Sequence, residues 1–419
     1  MNVGKNIVLT PEQTPWLSKG PLARLLAVLD TNGEETRIVG GAVRNLILGQ
    51  KVDVDLIDLA TTAVPDEVVR RAKSAGFNPV PTGLDHGTIT VVVDGKPFEV
   101  TTLREDVETF GRHAKVRFGR DWKKDAERRD FTMNALFLSR DGNVIDLVGG
   151  LKDLKAKRVV FIGDPDTRIR EDYLRVLRFF RFHAAYGEGS LDQPGLRACI
   201  RAKDELATLS RERVRAELLK LLMAKHAVPA LAVMGEAGLL GAILGGVPLL
   251  ASYSNLVKAE TAIGITKEPT RHLGALGVFI VEDADRLRDR LRLTNAEYRR
   301  IESMGDRWWR ISPGAGEQQA KALLYRIGPE SFRDRALIAF ARSEAKDDDK
   351  GWHLLIGLPE RWTPPKFPLA AKDFVALGIE KGPALGAALA RAEEEWIAAG
   401  FSLEKAMLSE IAKNALVAR

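Results

Sequence analysis

The sequence predicts an α+β protein, with a mixed-sheet head at the N-terminal end and an all-helical remainder. Three observations predict it. From residue 36 to about 160, short apolar runs alternate with helix-like segments and glycine turns. Beyond Gly163 the texture changes to stretches of 3.6-residue periodicity, at 166–185, 211–224, 229–235 and 370–400, with few strand signals. The 419 residues, 45% hydrophobic and 29% charged, also suffice for more than one apolar core. The expected division is a head over 1–160, a helical neck over 161–250, and a helical body and tail over 251–419. Proline and glycine punctuation near 245–248, 313–316 and 363–368 marks further sub-boundaries.

The elements follow in order. Leu22, Leu25, Leu26 and Leu29 share one face of a helix over 21–30. The apolar lead-in Arg37-Ile38-Val39 runs through Gly40-Gly41 into a helix-like segment holding Arg44, and acids follow at Asp53, Asp55 and Asp58. Residues 68–75 read as a helix. Residues 89–93 and 98–102 flank Asp94-Gly95, a hairpin signal. Residues 144–147 form another short strand after Asp141-Gly142.

Composition removes several classes. The single cysteine, Cys199, excludes an intramolecular disulfide framework and any multi-cysteine zinc site, and its helical context makes it a core thiol. No basic segment followed by an apolar one opens the chain, and no apolar run reaches the roughly 18–20 residues of a membrane span. A soluble intracellular, cytoplasmic protein is expected. The net charge of +6 permits a polyanionic partner without requiring one.

The stretch 39–58 carries the first chemistry. A glycine turn delivering a helix N-terminus suits phosphate, and carboxylates on a following strand suit a hard cation bridging to it. Asp53 and Asp55, two apart on a strand, project to one face and form the expected metal-binding, catalytic pair. The competing reading is a polar loop with several aspartates. Glu99, on the strand after the Asp94-Gly95 turn, is a candidate third acid or else a cross-strand partner of Lys96 or Arg104.

Two basic segments follow. In Glu127-Arg128-Arg129-Asp130-Phe131-Thr132-Met133-Asn134, helical geometry separates the adjacent arginines, so one meets phosphate while the other packs. Asp130 and Asn134, four apart, suit ribose hydroxyls; the alternative is a salt-bridged surface helix. In the segment 168–178, Arg168, Asp172, Arg175 and Arg178 share a helix face. An Asp172–Arg175 pair matches cytosine and adenine, which show an amine beside an acceptor nitrogen, and mismatches uracil and guanine. A solvated ion pair is the bland alternative. The run 286–300 offers arginines to an RNA backbone, or a plain basic helix face.

Taken together, these stretches resemble the class II tRNA nucleotidyltransferases, the CCA-adding enzymes, and their poly(A) polymerase relatives. The resemblance covers roughly 36–245 and lies in the order of the parts: GGAVRN with the acids, ATTAVPDEV, GLDHGTITVV with FEVTTLREDV, GRHAKVRF, DAERRDFTMNAL, RIREDYLRVLRFFRFHA, then SRERVRAELLKLL and VMGEAGLL. It implies a polymerase-beta-like head that adds CMP and AMP from CTP and ATP to the tRNA 3′ end with two Mg²⁺ ions. The helical body and tail over 251–419 are expected to bind the tRNA, and no protein partner and no membrane are expected. By resemblance, Asp53 and Asp55 hold metal; Gly40, Gly41 and Arg44 bind triphosphate; Arg129, Asp130 and Asn134 contact ribose and phosphate. Glu171, Asp172, Arg175 and Arg178 belong to the nucleotide-selecting helix, and 105–117 is the loop that switches CTP for ATP.

The chain departs from the pattern in three places. Counted back from Ala60-Thr61-Thr62, the family's second acid falls on Asp58 and Leu56 takes the first acid's place, so Asp58 is an alternative ligand. Phe110 stands where the loop has an acid, and Asn45 stands where the family often has Asp. Alternatives within the chemistry are an A-adding, CC-adding or poly(A) enzyme, and outside it a tRNA-binding protein without catalysis. None of the six histidines precedes an aspartate, so there is no His-Asp dyad of an appended phosphohydrolase.

Overall fold

The computed structural model describes residues 7–83, 87–110 and 113–417, and the side chains of all of these but 105–116 and 417. Two compact units divide the chain, residues 1–243 and 244–419. His86 and the loop tip 111–112 lie outside the described residues, as does the side chain of Phe110.

In the first unit, a seven-stranded sheet has the order β3-β4-β5-β2-β1-β8-β9. Its strands are β1 (Thr36–Val39), β2 (Asp58–Thr61), β3 (Asn78–Gly83), β4 (Thr88–Val93), β5 (Lys96–Thr102), β8 (Leu136–Leu138) and β9 (Val144–Asp146). Among the described residues, β2 and β5 are the one parallel pair, with Asp58 opposite Glu99. The β4–β5 turn places Asp94 and Gly95 at φ 52° and 78°, as the hairpin signal required. Helices α1 (Pro21–Leu29) and α3 (Pro65–Ser74) pack together against the sheet, burying Leu22, Leu25, Leu26 and Val68. A separate antiparallel ribbon, β6 (Arg104–Phe110) with β7 (His113–Phe118), occupies the expected switching loop.

Between β1 and β2 lie α2 (Gly41–Ile47) and a single 3-10 turn, Val54–Leu56. The expected strand through Asp53 and Asp55 is therefore absent: Asp53 caps the turn by accepting from the Asp55 N–H at 3.1 Å. An aspartate two residues before another offers that local bond, which competes with extended pairing.

After α4 (Trp122–Glu127), β8, β9 and α5 (Gly150–Lys155), the first unit becomes helical. The expected continuous helix over 166–185 breaks at Asp172, whose backbone is extended (φ −157°, ψ 105°), into α6 (Pro165–Glu171) and α7 (Leu174–Tyr186). Phe131, ahead of β8, and Phe161, after α5, fasten α7 through Phe179 and Phe182; Phe161 stacks on Phe179 at 5.3 Å and Phe131 meets Phe182 at 5.4 Å. Helices α8 (Gln193–Arg201), α9 (Arg211–Leu222) and α10 (Ala227–Glu236) follow, with Cys199 buried in α8. A short helix α11 (Leu239–Leu244) ends this run.

The second unit holds α12 (Leu250–Ile263), α13 (Pro269–Gly277), α14 (Val281–Leu291), α15 (Asn295–Gly305), α16 (Glu317–Ala341), α17 (Lys350–Ile356), α18 (Leu358–Arg361), α19 (Ala371–Val375), α20 (Pro383–Ala398) and α21 (Lys405–Val417). The periodic stretch 370–400 is two helices, since Gly378, Gly382 and Pro383 interrupt it. One core gathers Leu256, Leu324, Phe332, Phe340 and Trp352; another surrounds Trp396 and Phe374. Buried charges are satisfied mutually: Arg271 bonds Glu260 and Asp334, Glu260 also meets His272 at 2.7 Å, and Arg300 bonds Asp334. Among the described residues, no helix is long and apolar enough to cross a membrane.

Candidate active site

One cleft of about 460 Å³ in the first unit collects most of the residues the sequence singled out. Gly40, Gly41, Arg44, Asp58, Arg128, Arg129, Asp130, Asn134, Asp172, Arg175 and Arg178 line it, together with Arg181, Phe182, Tyr186 and Arg213. Seven arginines face three aspartates there. Such an excess of fixed guanidinium groups suits a polyanion, because planar N–H forks match phosphate oxygens.

The glycine turn shapes one wall. Gly40 sits at φ 77°, a conformation disfavoured for any residue with a Cβ, and turns the chain from β1 into α2. This orients Arg44, buried and held by three groups: its Nη1 donates to Asn134 Oδ1 at 2.7 Å, its Nη2 to Tyr186 Oη at 2.6 Å, and its Nε to Asn45 Oδ1 at 3.1 Å. Its guanidinium also lies 3.8 Å over the Tyr186 ring. Burial lowers the Arg44 pKa to about 10, partly opposed by Tyr186, so the group stays charged at neutral pH. Asn45, where a carboxylate was the family pattern, keeps the acceptor that this arrangement uses.

The two adjacent arginines behave differently from the sequence expectation. Helix α4 ends at Glu127, and both Arg128 and Arg129 converge on buried Asp125: Arg128 Nη2 reaches Oδ1 at 2.6 Å and Arg129 Nη2 reaches Oδ2 at 3.0 Å. Burial works to raise the Asp125 pKa, but the two guanidinium groups hold it below the usual range. Asp130 and Asn134 are not on one helix either, yet Asn134 Nδ2 donates to Asp130 Oδ1 at 3.2 Å. Asp130 also accepts from Phe131 N–H at 2.8 Å and from Arg178 Nε at 2.8 Å. Burial would raise its pKa; Arg178 and the amide donors keep it lowered.

The expected Asp172–Arg175 pair does not form. With the helix broken between them, Asp172 Oδ1 accepts from Leu174 N–H at 3.2 Å, and Oδ2 accepts from Arg213 Nη2 of α9 at 2.6 Å. Arg175 bonds Glu171 and the Arg168 carbonyl, the latter at 2.7 Å. Glu171 thus anchors Arg175 from outside the cleft lining. The Asp172 and Arg175 side chains still line one cleft, each fixed by a different partner.

The acids of the opening motif separate. Asp53 and Asp55 do not line the cleft; Asp55 accepts from Lys96 Nζ at 2.7 Å on the exposed turn, and Leu56 is 77% exposed. Asp58 does line it, at the first position of β2 and in register with Glu99 on β5 and Val39 on β1. The protein around Asp58 raises its pKa, and the Glu99 charge raises it further, with Arg129 opposing. Two carboxylates that repel each other in this way are a donor set that a hard cation relieves. Among the described residues, no group of three or more His, Cys, Asp or Glu is gathered to hold a metal.

Sequence reasoning missed Asp125, Arg181, Tyr186, Arg213 and Glu217. Arg181 meets buried Glu217 of α9 at 2.7 Å and lies over the Phe182 ring at 4.2 Å. Arg181 and Tyr186 continue the α7 face that carries Arg178, a periodicity that was visible; Arg213 and Glu217 gave no signal beyond an i,i+4 spacing in SRERVRAEL.

Comparisons with known proteins place the chain in a family. The poly A polymerase head domain model matches residues 36–160, and the model for the probable RNA and SrmB-binding site of polymerase A matches 191–253. The mitochondrial CCA tRNA nucleotidyltransferase 1 of Mus musculus is 35% identical over 415 residues, 97% of this chain and 92% of that protein. The chain belongs to the CCA tRNA nucleotidyltransferase family. It is a nucleotidyltransferase. The CCA-adding enzyme of Limosilactobacillus fermentum is 31% identical over 88% of this chain and 90% of its own length. Among solved structures, the Bacillus stearothermophilus CCA-adding enzyme in complex with CTP is similar at a TM-score of 0.76 with 26% identity, covering 97% of this chain and 98% of that one.

Proposed function

We propose that this nucleotidyltransferase completes the tRNA 3′ end, adding CMP and then AMP from CTP and ATP without a nucleic-acid template. What carries the reading is the arginine-rich cleft that joins the Gly40-Gly41 turn to the Asp172 and Arg175 side chains, in a chain whose relatives bear that name over nearly their full length. Arg44, Arg128, Arg129, Arg178 and Arg181 meet the triphosphate, and the Asp130–Asn134 pair meets the ribose. Asp172 accepts from the exocyclic amine of cytosine or adenine, and Arg175 donates to the neighbouring ring acceptor. Uracil and guanine present a carbonyl to Asp172, leaving it unpaired, which disfavours them.

Asp58 with Glu99, in place of Asp53 with Asp55, is the carboxylate pair we assign to divalent cation, two Mg²⁺ ions being the expected complement. Asp58 and Glu99 would hold such an ion, which when bound would supply charge neutralisation to the triphosphate and acidify the attacking 3′-hydroxyl. The residues themselves orient the α-phosphate for in-line attack and confine the leaving pyrophosphate among the arginines. We place the enzyme in an aqueous compartment, the cytoplasm; fractionation of cells producing a tagged protein tests this.

Purified protein, given tRNA truncated before the first terminal C with labelled CTP and ATP, is expected to add two C residues and one A. Extension with ATP alone into a tail indicates poly(A) synthesis. Incorporation of neither nucleotide overturns the enzymatic reading.

A further inference from the structure

Arg44 differs from the other arginines of the nucleotide cleft. Six of the seven are ion-paired, to Asp125, Asp130, Glu171, Asp172 or Glu217. Arg44 has no carboxylate partner among the described residues; its acceptors are the neutral oxygens of Asn45, Asn134 and Tyr186. A neutral acceptor orients a guanidinium without cancelling its charge, so Arg44 keeps its full charge for an anion.

A buried cation held this way needs firm support. Burial disfavours the Arg44 charge, and the nearby Arg181 and Arg178 charges disfavour it further. Without restraint such a side chain moves toward water. Tyr186 restrains it twice, with the ring centre 3.8 Å from the guanidinium carbon and Oη accepting from Nη2 at 2.6 Å. The Tyr186 ring in turn stacks on Phe182 at 6.0 Å.

The place of Tyr186 follows from how α7 ends. It is the last residue of that helix and half-buried on the cleft wall. Gly187 N–H bonds the His183 carbonyl at 2.8 Å, and a Cβ on Gly187 would collide with His183 Nδ1. The helix therefore stops at a fixed point, with the tyrosine ring beside Arg44.

The hydrogen bonds show what this achieves. Asn45, Asn134 and Tyr186 take four of the five Arg44 N–H groups. The fifth, on Nη1, has no protein acceptor among the described residues, in a side chain that lines the cleft. With Nε and Nη2 fixed, the guanidinium cannot turn, and the same N–H is always the one left over.

We propose that Tyr186 is a positioning residue for the nucleotide triphosphate: its phenolic oxygen and ring fix Arg44 so that the remaining Nη1 N–H donates to a phosphate oxygen of CTP or ATP. The inference rests on the reading that the cleft takes nucleoside triphosphates. It gives Tyr186 no part in choosing the base, which falls to Asp172 and Arg175.

The test uses the full-length protein, with CTP added to tRNA lacking its CCA end and ATP to tRNA lacking only the final A. Tyr186→Phe keeps the ring and removes the oxygen. It is expected to raise KM for CTP and ATP alike about 3- to 10-fold, the range for loss of one hydrogen bond, with kcat within about twofold. Tyr186→Leu, which also removes the ring, is expected to raise both KM values about 10- to 100-fold. Inhibition by inorganic tripolyphosphate should weaken in step, and inhibition by cytidine should not change. In an Arg44→Met background, Tyr186→Phe should alter calorimetric CTP affinity less than about twofold, because the group it acts through is gone. Thermal melts show that each variant is folded. If Tyr186→Phe leaves both KM values at the wild-type level while the wild type extends tRNA, the inference is refuted and the enzymatic reading stands. A KM rise confined to one nucleotide, a fall in kcat alone, or an equal weakening toward cytidine gives Tyr186 another role and overturns the inference. Wild-type protein that neither binds CTP nor extends tRNA overturns both.

Discussion

Replacing Asp58 by Asn tests the assignment on which the chemistry turns. The substitution keeps size and hydrogen bonding but removes the charge that faces Glu99 across the parallel β2–β5 pairing. If the pair holds magnesium, losing one of two protein carboxylates forfeits several kcal/mol of transition-state stabilisation. At 1.36 kcal/mol per factor of ten, a loss of about 3–5 kcal/mol slows incorporation ~200- to ~5,000-fold. The same change at Asp55 breaks only an exposed ion pair with Lys96, their side chains 47% and 46% exposed, which solvent screens. At Asp53 it weakens the cap of one 3-10 turn, a cost of about 1 kcal/mol or less. Neither should alter incorporation more than about threefold on the activity scale just used. Single-turnover addition of labelled CMP at saturating magnesium reads all three variants, with thermal melts to show that each is folded. An Asp58→Asn enzyme at wild-type rate, or a folded Asp53→Asn or Asp55→Asn enzyme slowed a hundredfold, refutes the reasoning.

Other outcomes follow from the same contacts. Arg213→Met frees Asp172 from its α9 partner, so misincorporation from UTP and GTP relative to CTP and ATP should rise about tenfold or more, whereas a merely structural role for Arg213 would lower all four rates together. Asp58 must ionise to hold a cation, and its raised pKa means that magnesium affinity weakens, as pH falls, above the ordinary aspartate range; Glu99→Gln should move that midpoint downward in a calorimetric titration while weakening affinity overall. Arg178→Met strands the buried Asp130 carboxylate, with an expected loss of about 3 kcal/mol in urea unfolding of the first unit. Because Asp130 has a lowered pKa, its contribution to stability is present above the unfolded carboxylate pKa and lost as pH falls through the lowered value; Asp130→Asn should reduce that acid sensitivity. Burial pushes the Cys199 thiol pKa up, so a thiol reagent should leave native protein unmodified and react only as the first unit unfolds; fast labelling of the native enzyme would contradict the packing of α8.

What the sequence determined by itself was whatever depends on near neighbours. The glycine turn before Arg44, the Asp94-Gly95 hairpin, the leucine face of α1 and the change from strand to helix periodicity all rest on local sterics and spacing, and each appears in the fold. The family resemblance added the order of the motifs, which located the cleft. Local reasoning failed where a side chain had a choice of partner. Asp53 satisfied its own turn instead of extending a strand, and Asp172 turned away from Arg175 to Leu174 N–H and Arg213, the latter 41 residues distant. Arg44 found Tyr186 across 142 residues, and Asp58 met Glu99 only because β2 and β5 pair in parallel. A carboxylate or guanidinium bonds whichever partner is close and desolvated, and which one that is depends on how the sheet, α7 and α9 pack, not on spacing along the chain.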